Sequence, residues 1–368
     1  MARVRVLFFG TYDAETITRV RVLQEGFAAH GDVVDECNVP LPLSTRSRVR
    51  MLERPWLAVG LAATLSAAWF RLVRKARRLP RPDAVVVGYM GHFDVHLARR
   101  LWPRQPLVLD HLISGHDTAL DRRVRSAAVL RALRRLDRSS LAAADIPCVD
   151  TTENLELVPP SLRTRALVVP VGAPERWFHA PQRADKSELT VVFYGSYTPL
   201  HGAPTIGQAI GLLAAEGAPI RFSMVGRGQD YDSTRLNAGD RAAATWIDWI
   251  EPAELPAFVA EHDVCLGIFG TTPKARRVVP MKVFGGAAAG CAVMTSATAP
   301  QQRALGEAAM YVRAGDADAL AAALGDLAGE RDRVWQLRLA SYAHAGEAFR
   351  PEVVVAGLRD RVLRAMDR

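Results

Sequence analysis

The stretch Asp263–Thr295 constrains the fold of this 368-residue chain more than any other segment. An apolar run ends at Gly270, a basic loop follows, a helix is expected to begin at Pro280, and Gly290 separates it from a second apolar run. Proline suits the first turn of a helix and glycine suits the position just past its end. The stretch therefore predicts a strand, a loop, a helix and a strand, the repeating unit of a parallel α/β sheet.

The basic loop of this unit lies where such sheets bind ligands. Ligands of open α/β sheets lie beyond the carboxyl ends of the strands, where helix N-termini point free N–H groups at anions. Of the 47 lysines and arginines only four are lysines, and two of the four lie in or beside this loop. A solvated basic face is the bland alternative, but the placement of the lysines favours a phosphate-bearing ligand. The candidate cations are Lys274, Arg276, Arg277 and Lys282.

Composition indicates a globular chain of two domains. Hydrophobic residues make up 49% of the sequence and the mean hydropathy is +0.02. The four cysteines lack CxxC spacing, which favours reduced thiols in a cytosolic protein over a metal site or a disulfide framework. The apolar run Val4–Phe9 is too short for the core of a signal peptide and predicts a strand. The longest apolar segment, 56–70, is too short to span a bilayer comfortably.

Positive charge is concentrated in one segment. The formal net charge of the chain is +8, and residues 46–81 alone contain ten cations and one acid. Their basic flanks surround an apolar stretch with Trp56, Trp69 and Phe70, a pattern typical of an amphipathic element that docks on anionic lipid. A core helix with solvated basic ends is the alternative. Binding to nucleic acid is disfavoured, because no RNA- or DNA-binding motif accompanies the charge.

Apolar strands alternate with helical patterns along both halves of the chain. This alternation predicts two Rossmann-like domains with parallel sheets that face a cleft and bind a ligand there. The first half includes an arginine-rich pattern that predicts a helix over 122–141, and the second half predicts a short strand over 246–250. The predicted organisation is an N-terminal domain over 1–174, a linker over 175–187, a C-terminal domain over 188–350 and a C-terminal helix over 351–368.

The loops that follow the predicted strands contain the candidate site residues. Glycine after a strand lets backbone N–H groups approach an anion, and histidines and carboxylates there can exchange protons. For any single histidine, a hydrogen-bonded structural role is the alternative to catalysis. In the second half these loops contain Gly195, Ser196 and Arg227, and in the first half they contain Gly10, Thr11, His92, Asp94, Asp110, His111, His116 and Asp117.

Several stretches resemble successive motifs of the GT-B family 4 glycosyltransferases. In the second half these are VVFYGSYTPLHGAPTI, FSMVGRGQDY, ELPAFVAEHDVCLGIFG and VVPMKVFGGAAAGCAVMT, and in the first half PDAVVVGYMGHFDV and PLVLDHLISGHDT. The resemblance covers nearly the whole chain except residues 46–81. It implies the GT-B fold, with a nucleotide-sugar-binding C-terminal domain, an acceptor-binding N-terminal domain and a C-terminal helix that crosses back to the N-terminal domain.

The resemblance also implies a reaction and the roles of residues. The reaction is transfer of a sugar from a nucleoside diphosphate donor to a hydroxyl, with retention and without a metal or another cofactor. Lys282 matches the lysine of the P-x-K-x-F-E segment, and His111 lies near the histidine that contacts the donor sugar; with Asp110 they are the expected catalytic residues. The expected donor site contains Gly195, Ser196, His201, Arg227, Lys274, Arg276, Arg277 and Lys282, and the expected acceptor side contains Gly10, Thr11, His92, Asp94, His116 and Asp117.

This chain departs from the family pattern in its donor-site motifs. Ser196 and His201 stand where the family often has an arginine and a lysine. Gly285 stands where a glutamate usually binds the ribose hydroxyls, so recognition of the ribose is left unexplained. The other cations of the donor site are expected to supply the missing positive charge.

The sequence thus predicts a retaining glycosyltransferase at the cytoplasmic face of the cell membrane, with residues 46–81 on the anionic surface. The predicted acceptor is a lipid-linked or envelope glycan, as in polysaccharide biosynthesis. A soluble transferase that modifies a small secondary metabolite is the first alternative. The others are a catalytically weakened sugar-nucleotide-binding subunit, motivated by Ser196 and Gly285, and a GT-B epimerase.

Overall fold

The computed structural model describes residues 3–13, 17–41, 57–183 and 187–367, without the side chains of residues 57–59, 61 and 62. The chain divides into two compact units, Met1–Pro170 with Pro351–Arg368, and Val171–Arg350. Each unit contains one six-stranded sheet, and every pair of neighbouring strands is parallel. The predicted architecture of two parallel Rossmann-like sheets is confirmed.

The sheet of the first unit has the strand order β2-β1-β3-β4-β5-β6. Its inner strands are short apolar runs with all residues of β3, β4 and β5 buried, as expected of a parallel sheet covered on both faces. In register, Val6 of β1 pairs with Val34 on one side and with Ala84 on the other. The strands are β1 (Arg5–Gly10), β2 (Val33–Asn38), β3 (Ala84–Val87), β4 (Leu107–Asp110), β5 (Ile146–Val149) and β6 (Leu167–Val168).

Helices connect these strands and cover the sheet. Polar side chains begin several of them: Ser114 Oγ accepts the N–H of Asp117, and Ser126 Oγ accepts the N–H of Val129. Among the residues described before β6, the helices are α1 (Thr18–Ala29), α2 (Leu57–Ala76), α3 (Asp94–Leu101), α4 (Gly115–Asp121), α5 (Ala127–Ala143), α6 (Thr152–Leu157) and α7 (Pro160–Arg163).

The sheet of the second unit has the strand order β12-β11-β10-β7-β8-β9. Its strands are β7 (Leu189–Tyr194), β8 (Ile220–Val225), β9 (Ala244–Ile247), β10 (Val264–Leu266), β11 (Ala292–Ser296) and β12 (Ala309–Val312). Its helices are α8 (Ala203–Glu216), α9 (Tyr231–Ala238), α10 (Leu255–Ala260), α11 (Met281–Ala288), α12 (Ala299–Leu305), α13 (Ala317–Gly329) and α14 (Arg331–Ala348). The first strand, β7, lies between β8 and β10, so the chain order reverses there, which is where α/β sheets bind ligands.

The last helix, α15 (Pro351–Met366), returns to the first unit and packs against α1. A buried ion pair holds it: Arg359 Nε lies 2.7 Å from Asp32 Oδ2, and Nη2 lies 3.0 Å from Oδ1. The same carboxylate accepts the N–H of Val4 at the start of the first strand. The prediction that the C-terminal helix crosses back is confirmed.

Two predicted elements differ from those observed. The helix predicted over 122–141 is wrong in its bounds, because the chain turns between α4 and α5, with Arg123 at a positive φ of 63°. The strand predicted over 246–250 is observed as β9, which begins two residues earlier and ends three residues earlier. Helix α14, between β12 and α15, was not predicted from the sequence, and its buried face includes Arg338 and Ser341.

The basic segment is described from Leu57 onward; Trp56 and residues 46–55 lie outside the described residues. Its helix α2 packs on the first unit through Ala68 and Leu72, as the alternative of a core helix expects. Phe70 is 64% exposed on this helix. Among the described helices, none is long and apolar enough to cross a lipid bilayer.

Helix α15 packs so closely against Gly26 of α1 that no side chain fits at this position. A Cβ atom at Gly26 would lie 2.3 Å from the carbonyl oxygen of Pro351, which is backbone and cannot rotate away. Gly26→Ala should therefore lower the free energy of unfolding by about 1–3 kcal/mol, although alanine favours helices. Gly357→Ala on α15 is the control, because a Cβ there meets nothing within 4 Å. Urea denaturation of both variants checks this, and equal stabilities would contradict it.

Candidate functional site

Lys282 lies at the start of α11, beside the carboxyl end of β7. The residue is 4% exposed, and its Nζ has no hydrogen-bond partner among the described residues. Nζ lies 3.9 Å from the centroid of the Phe193 ring, a cation–π contact with the neighbouring strand. A buried ammonium group without an anionic partner is unusual, because burial of a charge is costly unless the charge is paired.

Gly195 makes the approach of Lys282 to the strand possible. A Cβ atom at Gly195 would lie 2.9 Å from Lys282 Nζ and 3.1 Å from His201 Cε1. His201 is itself buried, and its Nδ1 accepts the N–H of Thr198. The structure thus brings together Gly195, His201 and Lys282 of the predicted donor site, while Ser196 is exposed next to them.

The electrostatics around Lys282 favour the binding of an anion. Burial lowers the pKa of Lys282 to about 7. Burial also raises the pKa of the neighbouring Cys265 to about 12, so this residue is a neutral thiol and does not neutralise the lysine. The first-turn N–H groups of α11 add the positive end of a helix dipole. A phosphate oxygen at this point would have favourable partners in Lys282 and the helix.

The other predicted donor-site cations are more exposed than Lys282. Arg276 is exposed, and Lys274 and Arg277 are half-buried, in the turn between β10 and α11. Arg227, after β8, lies over the ring of Tyr231 at 4.2 Å, and its Nε donates to Asp248 Oδ1 at 2.8 Å. The donor-site roles of these four cations stay predictions.

The neighbours of Gly285 leave no room for a side chain at this position. A Cβ atom at Gly285 would lie 2.7 Å from Tyr194 Oη and 2.8 Å from Trp177 Cζ3. The two aromatic rings are stacked, with centroids 5.8 Å apart, and Trp177 is 3% exposed. They occupy the space into which the side chain of the family's glutamate would extend. Trp177 belongs to the segment that the sequence analysis assigned to the linker, so its part in this site was missed.

On the first unit, Thr11 and Asp94 of the predicted acceptor side lie together. The backbone N–H and the hydroxyl of Thr11 each donate to Asp94 Oδ2 at 2.8 Å. Trp69 of α2 donates its indole N–H to Asp94 Oδ1 at 2.8 Å, and a Cβ at Gly10 would lie 3.2 Å from Oδ2. Burial raises the pKa of Asp94 against these hydrogen bonds. The carboxylate joins three elements, which is a structural role.

Asp110, predicted to be catalytic, forms an ion pair within the first unit. Arg19 Nε lies 3.2 Å from Asp110 Oδ1, and the two side chains are 0% and 1% exposed. Arg19 also donates to the carbonyl of Pro170 through Nη1. A charge that is buried and paired in this way is held in place, and removal of either partner would leave an uncompensated buried charge. The catalytic role of Asp110 stays a prediction.

The histidines of the first unit converge on a residue that the sequence analysis missed. His92 Nε2 lies 3.1 Å and His111 Nε2 lies 3.7 Å from Asp137 Oδ1, and all three residues are buried. Burial opposes ionisation of Asp137, but the two imidazoles hold the pKa of its carboxyl well below the usual range. Burial lowers the pKa of His111, against the effect of Asp137. His116 donates its backbone N–H to Asp137 Oδ2.

The acceptor-side residue Asp117 lies in the first turn of α4 and donates its N–H to Ser114 Oγ. The roles predicted for the site residues thus stay predictions. The structure places several of these residues in three clusters. His92 and His111 form one cluster, Thr11 and Asp94 another, and Gly195, His201 and Lys282 a third. Asp137 gave no signal in the sequence, because a single acid on an arginine-rich helix reads as part of a solvated face.

Comparison with known proteins gives a family match within the second unit. Residues 188–330 match the family described as Glycosyl transferases group 1. No curated protein matches the chain in sequence.

Solved structures share the fold at low sequence identity. Sucrose-phosphate synthase from Thermosynechococcus elongatus superposes with a TM-score of 0.70 at 15% identity, over 99% of this chain and 100% of that chain. An α,α-trehalose-phosphate synthase (UDP-forming) from Burkholderia vietnamiensis gives 0.65 at 14% identity, over 100% of both chains. Anabaena HepE in complex with UDP and glucose gives 0.63 at 12% identity, over 98% of this chain and 100% of that chain. The chain shares their two-sheet fold.

The aromatic pair beside Gly285 generates a test by double-mutant cycle. Gly285→Ala should lower the free energy of unfolding by about 1–3 kcal/mol, because the added Cβ collides with two packed rings. In a Trp177→Ala background the same change should be less destabilising, with a coupling energy of about 0.5–3 kcal/mol. Gly325→Ala is the control, since its Cβ would lie 3.7 Å from Leu213. Additive effects in denaturation curves would exclude the proposed collision with Trp177.

Proposed function

We propose that this GT-B glycosyltransferase, in which residues 188–330 belong to the glycosyl transferases group 1, transfers a sugar from a nucleoside diphosphate donor to a hydroxyl acceptor with retention of configuration. One observation carries the donor half of the proposal. Lys282 is a buried cation without a partner among the described residues, at the point where the chain order of the second sheet reverses.

The diphosphate of a donor supplies what Lys282 lacks. A phosphate oxygen beside Nζ pairs the buried charge and accepts N–H groups from the first turn of α11. The pKa of Lys282 is about 7 before binding, and an adjacent anion raises it, so the bound lysine is protonated. In this proposal the second unit holds the diphosphate through a point charge and a helix terminus.

The same contacts act on the reaction. When the bond between the sugar and the diphosphate breaks, negative charge grows on the leaving phosphate oxygens. A cation that is already in place stabilises this charge more in the transition state than in the ground state. Lys282 and α11 therefore assist departure of the nucleoside diphosphate, which is the difficult step of glycosyl transfer.

Uridine diphosphate is the first donor nucleotide to test. Anabaena HepE is described in complex with UDP, and the Burkholderia vietnamiensis synthase is described as UDP-forming. The ribose must be bound by a contact other than the family's glutamate, because Gly285 offers no carboxylate. Trp177 and Tyr194 fill the space beside Gly285. This departure from the family pattern motivates the second candidate, a subunit that binds a sugar nucleotide with little turnover.

Lys282→Met tests the donor site. Loss of one preorganised charge should reduce transfer or hydrolysis of the sugar nucleotide by about 10²-fold or more. The variant should unfold at the same or a higher temperature than wild type without ligand, because it no longer buries an unpaired ammonium group. Initial rates with UDP-sugars and other nucleoside diphosphate sugars measure the first effect. Thermal melts measure the second.

Arg241→Met is the matched control, since this exposed cation of the same unit lies outside the proposed site. Unchanged turnover in Lys282→Met would remove the lysine from the site. If wild-type protein binds a sugar nucleotide and never turns it over, the binding-subunit candidate replaces the enzyme.

We further propose that the acceptor is a lipid-linked or envelope glycan at the cytoplasmic face of the membrane. Helix α2 supports this part: one face packs on the first unit, and the other carries the exposed Phe70. Arg74 lies 5.9 Å from the Phe70 ring, and further arginines follow it. An exposed aromatic ring among cations matches the interface of an anionic bilayer.

Vesicle co-sedimentation tests the membrane part. Each arginine at an anionic surface contributes about 1 kcal/mol. Reversal of Arg71, Arg74, Arg77 and Arg78 to glutamate should therefore weaken binding to anionic vesicles by at least about 10²-fold. High salt should release the wild type, because screening acts within about 8 Å at physiological ionic strength.

Reversal of Arg125, Arg131, Arg135 and Arg138, four exposed arginines around α5, changes the net charge equally and is the control. Binding that is insensitive to lipid charge and salt would contradict membrane docking. The acceptor would then be a soluble small molecule.

A further inference from the structure

Three elements of the first unit bring two imidazoles and a carboxylate to one point. His92 lies in the turn before α3, His111 follows β4, and Asp137 lies on α5. They are 6%, 8% and 7% exposed. One ligand atom of each lies within 4.8 Å of the other two. Their convergence is therefore a product of the tertiary fold and not of local sequence.

Hydrogen bonds do not satisfy this cluster. Asp137 Oδ2 accepts Ser114 Oγ and the N–H of His116, and Oδ1 accepts the N–H of Gly115 at 2.9 Å. Oδ1 has one lone pair left, and two imidazole Nε2 atoms face it. Both Nε2 atoms are buried and close enough to Oδ1 for an ion pair, but neither makes a well-aligned hydrogen bond among the described residues. A single proton between Oδ1 and one ring would still leave the other ring unsatisfied.

A metal ion between the three atoms satisfies all of them. Two ligand atoms bound to a tetrahedral zinc ion at about 2.0–2.2 Å are separated by about 3.3–3.5 Å. The distances from Asp137 Oδ1 to His92 Nε2 and to His111 Nε2 are 3.1 and 3.7 Å, on either side of this value. The hydrogen bonds to Asp137 fix the carboxylate in place, as outer contacts fix the ligands of metal sites.

We propose that His92, His111 and Asp137 bind a divalent transition-metal ion of the zinc class. Two imidazoles and one carboxylate are the donor set that such ions prefer over Mg²⁺ or Ca²⁺, which take oxygen ligands. Three protein ligands leave a fourth position for water or for a substrate oxygen, as in catalytic zinc sites. His111 then binds the ion in place of the direct sugar contact that the sequence analysis predicts. The proposal does not depend on the donor proposed above.

Metal binding without any sugar nucleotide tests the proposal. Chelator-treated full-length protein is titrated with ZnCl₂ by calorimetry and with CoCl₂ by visible absorption. The expected result is one ion per chain and cobalt d–d bands of a four- or five-coordinate site. His92→Asn and His111→Asn should each weaken zinc binding by about 10²-fold or more, since loss even of an outer contact costs 10- to 100-fold.

His96→Asn is the matched control, because this histidine of α3 lies outside the cluster and faces Ser139. Its zinc affinity should equal that of wild type. Absence of the cobalt bands in wild-type protein would overturn the proposal whether or not a variant folds. Equal zinc affinities of wild type and a folded His92 or His111 variant would overturn it as well. The titrations contain no sugar nucleotide, so their outcomes stay the same even if the proposed donor site is wrong.

Discussion

A parallel sheet covered on both faces can offer polar groups to a ligand only beyond the ends of its strands. Both units obey this constraint, because their inner strands are buried apolar runs. Charges that lie deep in the structure must then be paired. Asp32 with Arg359 and Asp110 with Arg19 satisfy this condition in the first unit. Lys282 does not, and this exception is the basis of the proposed donor site.

An unpaired buried ammonium group lowers the stability of the free protein, since desolvation of an ion costs several kcal/mol. The depressed pKa of Lys282 reduces this penalty by letting the group lose its proton near neutral pH. A diphosphate removes the penalty in another way, by pairing the charge. In the proposed donor site the same residue weakens the free protein and strengthens ligand binding, a relation common where function requires a strained or uncompensated group.

Much of the architecture follows from local patterns in the sequence. Asp263–Thr295 contains a β–α–β unit because apolar runs, a proline and a glycine mark its boundaries. The sequence pattern did not predict helix α14. Its buried face includes Arg338, which donates to the carbonyl of Gly290 at 2.8 Å, and Ser341, which donates to the carbonyl of Ala308 at 2.6 Å. Polar residues that are buried through such hydrogen bonds do not produce an apolar period.

Sequence patterns single out candidate residues at strand ends, but not residues that reach a cluster through distant packing. Lys282 lies at the start of a helix and His111 directly after a strand, so both are candidates from the sequence, and their roles stay predictions. Asp137 meets His92 and His111 only through the tertiary fold, and Trp177 meets Tyr194 in the same way. The departure at Gly285 was visible as a missing glutamate. That the stacked pair Trp177–Tyr194 leaves no room for a side chain there is visible only in the structure.

The pKa of Lys282 tests the central claim most directly. The chain contains only four lysines, so protein labelled with ¹³C-lysine gives few side-chain signals, and Lys282→Arg identifies the one of interest. The account predicts a pKa of about 7 in the free protein and a rise by at least about one unit with saturating UDP, because the diphosphate favours the charged form. A pKa near the ordinary lysine value of 10.5 in free protein, or no change with UDP, would contradict it.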